Sequence, residues 1–262
     1  MNKSTHLNRA PLAYKNEAFV DGWHGRSLRI LAEYLEPLDR FSHEKIKDTV
    51  VFFGSARITE DGPLGRYYRE AREFAKLITQ WSNALEPPTR RFVVCTGGGP
   101  GIMEAANRGA RDAGGKTIGL NIALPHEQYP NPFLSPELNF QFNYFFMRKF
   151  WFAYLAKALI VFPGGFGTLD ELSEILTLAQ TQKLEKKIMI MLYGTEYWKE
   201  ILNFDAMIKY GVISPEDMRL MDFVDDPHTA LDHLKTFLAR NYLQPHQVAA
   251  AEEMPDIAKS RL

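Results

Sequence analysis

Nearly uninterrupted apolar runs, each the length of a strand, alternate along this chain with longer stretches in which apolar residues recur every three or four positions. The runs are Thr49-Val50-Val51-Phe52-Phe53, Phe92-Val93-Val94-Cys95, Thr117-Ile118-Gly119-Leu120, Ala158-Leu159-Ile160-Val161-Phe162 and Ile188-Met189-Ile190-Met191-Leu192. Their lack of charge is that of strands buried on both faces. Phe140-Gln141-Phe142-Asn143 and Phe223-Val224 add shorter strands. Between the runs, Tyr67, Ala71, Phe74, Ala75 and Ile78 predict a helix ending near Trp81, and Leu169, Leu172, Ile175, Leu176 and Ala179 predict another. Further helices are predicted over 102–113, 197–208 and 229–238. Strand and helix in strict alternation indicate right-handed βαβ units, and so an α/β fold: an open parallel sheet with helices on both faces.

The strand-to-helix turns are rich in glycine: Gly54-Ser55, Thr96-Gly97-Gly98-Gly99-Pro100-Gly101 and Pro163-Gly164-Gly165-Phe166-Gly167. In an open parallel sheet such turns line one crevice outside the carboxyl ends of the strands, where the winding reverses. Residues 1–47 contain no glycine-loop unit and read as an extension with one helix near 28–38, from Leu28, Leu31, Tyr34 and Leu35. The main domain spans 48–243, and 244–262 reads as a tail. Glu86-Pro87-Pro88 and the proline-punctuated stretch 125–136 read as loops. Residues 144–157 predict a helix apolar almost all round, buried by the sheet and by a second subunit.

With 262 residues, 45% hydrophobic and 24% charged, the chain reads as a globular protein. A net charge of −1 without a long basic block gives no footprint for nucleic acid. The most hydrophobic window, 140–162, carries Arg148, Lys149 and Lys157, which argues against a membrane span. The polar start, Met1-Asn2-Lys3-Ser4-Thr5-His6, leads into no apolar signal region, so a cytoplasmic location is expected. Cys95, the single cysteine, lies inside a predicted strand and reads as a buried structural thiol.

The densest chemistry follows the run at 158–162. Pro163 ends the strand, and Gly164, Gly165 and Gly167 let the backbone turn sharply and let a ligand approach the peptide groups. Thr168 stands at the predicted helix N-cap. Strand, glycine loop and helix aim unpaired N–H groups and the positive end of a helix dipole at one spot, which suits a phosphate. Thr168 and Glu171 also read as a capping box, T-x-x-E. The glycines favour the phosphate, because a cap alone needs no bare backbone before it. Glu171 then stands about one turn away from the phosphate, where a ribose belongs.

Other patterns fail on spacing. Gly115-Lys116-Thr117 is preceded by Ala110 where a P-loop has glycine, and the third glycine of a dinucleotide fingerprint after Gly99 and Gly101 is Glu104. There is no G-x-S-x-G, H-E-x-x-H or C-x-x-C. No residue stands out as a Schiff-base lysine for pyridoxal phosphate. No metal and no cofactor is expected.

Pro163-Gly164-Gly165-Phe166-Gly167-Thr168-Leu169-Asp170-Glu171 resembles the PGGxGTxxE signature of the Lonely Guy (LOG) family, long described as lysine decarboxylases. Gly54-Ser55 and Gly97-Gly98-Gly99-Pro100-Gly101-Ile102-Met103-Glu104 resemble its GS and GGGxxGxM elements, and Met147-Arg148-Lys149 its other catalytic segment. The similarity covers residues 50–225. It implies a Rossmann-like protein that hydrolyses a nucleoside 5′-monophosphate, AMP or a cytokinin riboside monophosphate, to free base and ribose 5-phosphate. On this resemblance Glu171 and Arg148 are catalytic, and Gly164, Gly165, Gly167 and Thr168 hold the phosphate. Gly54, Ser55, Gly97, Gly98, Gly99, Met147 and Lys149 belong to the same crevice, and the protein is at least a homodimer. Snorkelling describes Lys149 well, whereas an arginine among aromatic residues needs an anionic partner, which the nucleotide or Glu171 supplies. Ala56-Arg57 departs from the serine-containing turn of short plant-type members, which makes AMP or another purine monophosphate the expected substrate. A non-catalytic nucleotide binder, or a structural protein whose glycine loops merely turn tightly, are the alternatives from other classes.

Overall fold

The computed structural model describes residues 9–85, 90–125, 129–184 and 186–243. The expected loop at 86–88, part of the one at 125–136 and the tail at 244–262 lie outside the described residues. In chain order the elements are α1 (Glu17–Val20), α2 (Arg26–His43), β1 (Thr49–Phe53), α3 (Gly65–Asn83), β2 (Val93–Thr96), α4 (Ile102–Asp112), β3 (Thr117–Ile122) and β4 (Asn139–Phe142). Then follow α5 (Phe145–Leu155), β5 (Ala156–Val161), α6 (Phe166–Gln180), β6 (Met189–Tyr193), α7 (Thr195–Ile201), α8 (Phe204–Lys209), β7 (Asp222–Val224) and α9 (Pro227–Tyr242).

The strands form a seven-stranded sheet in the order β4-β3-β2-β1-β5-β6-β7, with every neighbouring pair parallel. Strand residues alternate between two cores because successive side chains point to opposite faces. Val50 and Phe52 pack with Phe74, Ile102 and Leu234 beneath α3, α4 and α9. Val51 and Phe53 pack with Trp151, Phe152 and Leu172 beneath α5 and α6. The winding reverses between β1 and β5, so their carboxyl ends open the crevice where α/β sheets of this kind hold ligands.

Several boundaries differ from the sequence reading, each for a local reason. Helix α2 is longer than 28–38 and carries Pro37 in its interior. Pro37 has no N–H for the Glu33 carbonyl one turn earlier, and that carbonyl accepts instead from the Trp151 indole at 2.9 Å. Tyr34 and Phe41 pack against the same indole ring. The sheet covers one side of α5 as expected, and the extension's own helix, a partner the sequence did not suggest, covers another. Helix α5 ends at Leu155 rather than at Lys157, and the chain passes directly into β5. The freed carbonyls of Ala153 and Tyr154 accept from the buried Lys186 ammonium at 2.5 and 2.8 Å. The single helix expected over 197–208 is two, because Asn203 caps α8 through its side chain on the Ala206 amide.

Candidate functional site

The ends of β1 and β5 are tied to each other and to the turn after β2. The Ser55 amide donates to the Pro163 carbonyl at 2.9 Å, and the Ser55 carbonyl accepts from the Ile102 amide at 3.1 Å. Gly54 lies against Ile102, where a Cβ would come within 2.7 Å of its side chain. The Gly164 carbonyl is held from outside by the Tyr197 hydroxyl at 2.8 Å. With these carbonyls engaged, the free groups of the turn are amides.

Helix α6 begins at Phe166 with Gly165 as its N-cap, three residues before the start expected at Leu169. The Gly165 carbonyl already accepts from the Thr168 and Leu169 amides, both at 3.0 Å. Thr168 therefore stands within the first turn, no side chain caps the helix, and the expected capping box does not form. The amides of Gly165, Phe166 and Gly167, ahead of the first of these bonds, are left without intrahelical partners. Thr168 folds over Gly164, where a Cβ would lie 2.1 Å from its Oγ1. At Gly165 and Gly167 a Cβ would meet nothing within 4 Å. Protein packing requires the first glycine and does not require the other two.

One turn further along α6, Glu171 is buried at 7% exposure. Burial pushes its carboxyl up to about 7, against the opposing pull of Lys149 and Arg148. The Lys149 ammonium lies 3.9 Å from Glu171 and pairs with Asp170 at 2.8 Å and Glu174 at 2.7 Å. Burial pulls Lys149 down, but these carboxylates outweigh it and raise its pKa. Lys149 is thus the hub of an acidic cluster on α6 instead of a cation snorkelling to water. Asp170, Glu171 and Glu174 were readable as one acidic stripe on the helix, but nothing in the sequence paired them with a lysine from α5.

Arg148 approaches from the other side. Its Nε donates to the Leu120 carbonyl at 2.7 Å, its guanidinium lies over the Phe152 ring, and an Nη atom rests where a Cβ on Gly97 would come within 2.5 Å. Burial draws it below the usual arginine range, and the Glu171 charge partly offsets this. Among the described residues Arg148 closes no direct ion pair with Glu171, and its Nη atoms hold no hydrogen bond. Its charge is held within reach of the crevice with donors to spare. Met147 is buried in the core beneath α5. Cys95 is buried in β2, and desolvation raises its thiol far above the ordinary value.

The Gly97–Gly99 turn is fastened by residues that sequence reading passed over. The Asn131 amide donates to the Gly98 carbonyl at 2.8 Å, and its side-chain Nδ2 reaches the carbonyls of Gly98 and Gly99 at 3.1 and 3.0 Å. The same Nδ2 meets Asn107 Oδ1, which also accepts from the Thr96 hydroxyl. The Pro-Asn-Pro run at 130–132 was the only signal.

The site is thus a glycine-lined crevice at the switch point of a parallel sheet, with a buried carboxylate and two cations beside it. The profile of the family described as "Possible lysine decarboxylase" matches residues 103–234, about half of the chain, and the chain belongs to this family, the LOG family. Among curated relatives, the "Probable cytokinin riboside 5′-monophosphate phosphoribohydrolase LOGL3" of Oryza sativa subsp. japonica is 27% identical over 202 residues, covering 74% of this chain and 86% of the relative. The relative of the same description called LOGL5, from the same organism, is 26% identical over 184 residues, covering 64% of this chain and 73% of its own length. Among solved structures, the X-ray structure of TM1055, a structural-genomics target, aligns with 20% identity and a TM-score of 0.50 over 72% of this chain and 99% of that one. That likeness bears on the fold, which is the Rossmann-like parallel sheet expected. No described helix is long and apolar enough to cross a membrane.

Proposed function

We propose that the protein hydrolyses the N-glycosidic bond of a nucleoside 5′-monophosphate, AMP or a cytokinin riboside monophosphate, releasing free base and ribose 5-phosphate. The observation that carries this reading is the buried Glu171, poised near neutrality one turn along a helix whose first turn offers unpaired amides. The names of the relatives agree with it. A phosphate on the amides of Gly165, Phe166 and Gly167 places the ribose toward Glu171. The Glu171 carboxylate takes a proton from the attacking water while its charge stabilises the oxocarbenium-like transition state. The water oxygen joins the anomeric carbon, the C–N electron pair leaves with the base, and the base takes up the proton that Glu171 removed from the water, which returns Glu171 to the carboxylate. Arg148 supplies positive charge and donors to the departing base or the ribose. Lys149 keeps Glu171 from rising further into the protonated form.

Incubation of the protein with a panel of nucleoside monophosphates, followed by chromatography for free base and ribose 5-phosphate, tests the reading. Release of both from a purine monophosphate is expected. Intact nucleotide across the panel would overturn it.

A further inference from the structure

Lys149 reaches from α5 to three carboxylates on α6 and meets them at unequal distances. Its ammonium lies 2.7 Å from Glu174 and 2.8 Å from Asp170, both hydrogen-bond lengths, but 3.9 Å from Glu171, which is beyond one. The order is the reverse of what screening alone would give. The Asp170 and Glu174 side chains are 59% and 34% exposed and that of Glu171 is 10%, and an ion pair is least screened where it is most buried. Two more exposed carboxylates, acting together, thus outcompete one buried carboxylate for the same cation. Asp170 and Glu174 stand four residues apart, on one face of the helix, and one ammonium with three donors serves both.

Where the ammonium rests matters to the chemistry of Glu171. A hydrogen bond from Lys149 would stabilise the charged carboxylate, weaken it as a base and occupy an oxygen that has to receive a proton from water. The other cation facing Glu171, Arg148, donates to the Leu120 carbonyl and closes no bond with the carboxylate either. These two, with Asp170 and Glu174, are the charges that act on Glu171 most strongly, and the sheet beneath α6 contributes none of them. The mechanism above gives Asp170 and Glu174 no part. We propose that they are positioning residues for the hydrolysis, a double tether that holds the Lys149 ammonium short of Glu171 and leaves the carboxylate open to the attacking water; this rests on the hydrolase reading above.

Titration of Glu171 by NMR of its side-chain carboxyl carbon, in the unliganded protein, tests the tether. The proteins compared are wild type, Asp170→Asn/Glu174→Gln, Lys149→Met, and all three substitutions together. Without the tether Lys149 closes on Glu171, so the midpoint in Asp170→Asn/Glu174→Gln should fall by about one pH unit or more, the effect of an opposite charge at bonding distance. In the Lys149→Met background the same two substitutions remove only their own repulsion and should move the midpoint by less than about half as much. The pH profile of kcat/KM for AMP should move down with the midpoint, and its plateau should drop, because a weaker base takes the proton less readily. Residues that merely supported the fold would lower kcat/KM at every pH without moving the profile. Both side chains reach solvent, so a cooperative melting curve certifies the fold of the variants. An unmoved midpoint in Asp170→Asn/Glu174→Gln, or an equal shift with and without Lys149, overturns the tether. A shift that requires Lys149, in a protein that releases base from no monophosphate of the panel, would uphold the tether and sink the hydrolase reading alone.

Discussion

Glu171 concentrates the conflict between stability and function. Its folded-state pKa is raised from 4.5 to about 7, chiefly by burial. The folded protein therefore binds this proton more tightly than the unfolded chain, and stability falls as pH rises through that window and levels off above it. A shift of this size corresponds to about 3 kcal/mol at pH 8. Glu171→Gln is expected to abolish hydrolysis and to be more stable than wild type at pH 8 by up to about 3 kcal/mol, the gap closing below pH 4.5; urea unfolding at both pH values measures it. Wild-type turnover in this variant would contradict the catalytic role. Because the carboxylate is the acting form, kcat/KM for AMP should rise with pH through an apparent pKa near 7. The glycines divide in the same spirit. Gly165→Ala and Gly167→Ala should fold like wild type yet lose nucleotide binding, whereas Gly164→Ala must displace Thr168 and lose both; melting curves with and without AMP separate the cases.

At the level of elements, α2 and α5 are joined by a substitution of partners: Pro37 cannot serve the Glu33 carbonyl and Trp151 does. Trp151→Phe should destabilise the fold by about 1–3 kcal/mol through the carbonyl left unpaired. In a Pro37→Ala background the helix supplies its own N–H, so the same substitution should cost about 1 kcal/mol less, and a double-mutant cycle on unfolding free energies reads the difference. Additive effects would show that the indole bond contributes nothing. This contact also marks what the sequence concealed. The periodicity of Leu28, Leu31, Tyr34 and Leu35 showed a helix without showing which face it buries. Likewise T-x-x-E looked like a helix start because capping chemistry and phosphate-loop chemistry use the same residue types. Only the Gly165 carbonyl, taking the Thr168 and Leu169 amides, resolves them. The passage from α5 into β5 was hidden because both are apolar, and Lys186, which closes the helix, lies in a distant segment.

For the molecule as a whole, the parallel sheet was legible because its central strands β1, β2 and β5 are apolar runs buried on both faces that empty into glycine turns. The crevice was legible because those turns must share one edge. The Lys149 cluster and the Asn131 clamp were not, since both join residues from different elements. Phe145 and Phe146, at 53% and 49% exposure, and the exposed Leu28, Leu31 and Leu35 leave apolar surface beside α5. We expect at least a homodimer that covers it; sedimentation of a monomer at micromolar concentration would contradict this. The phosphate loop and the carboxylate are useful to one another only if the phosphate is a remote handle whose binding positions the ribose for attack. Charge-assisted bonds from backbone amides and Thr168 supply about 3 kcal/mol, roughly a hundredfold in rate. The decisive measurement is kcat/KM for AMP against adenosine, followed by release of free adenine. AMP should be favoured by about a hundredfold or more, and Thr168→Ala should narrow the gap by impairing AMP alone. Equal rates for the two substrates would show that the glycine turn binds no phosphate.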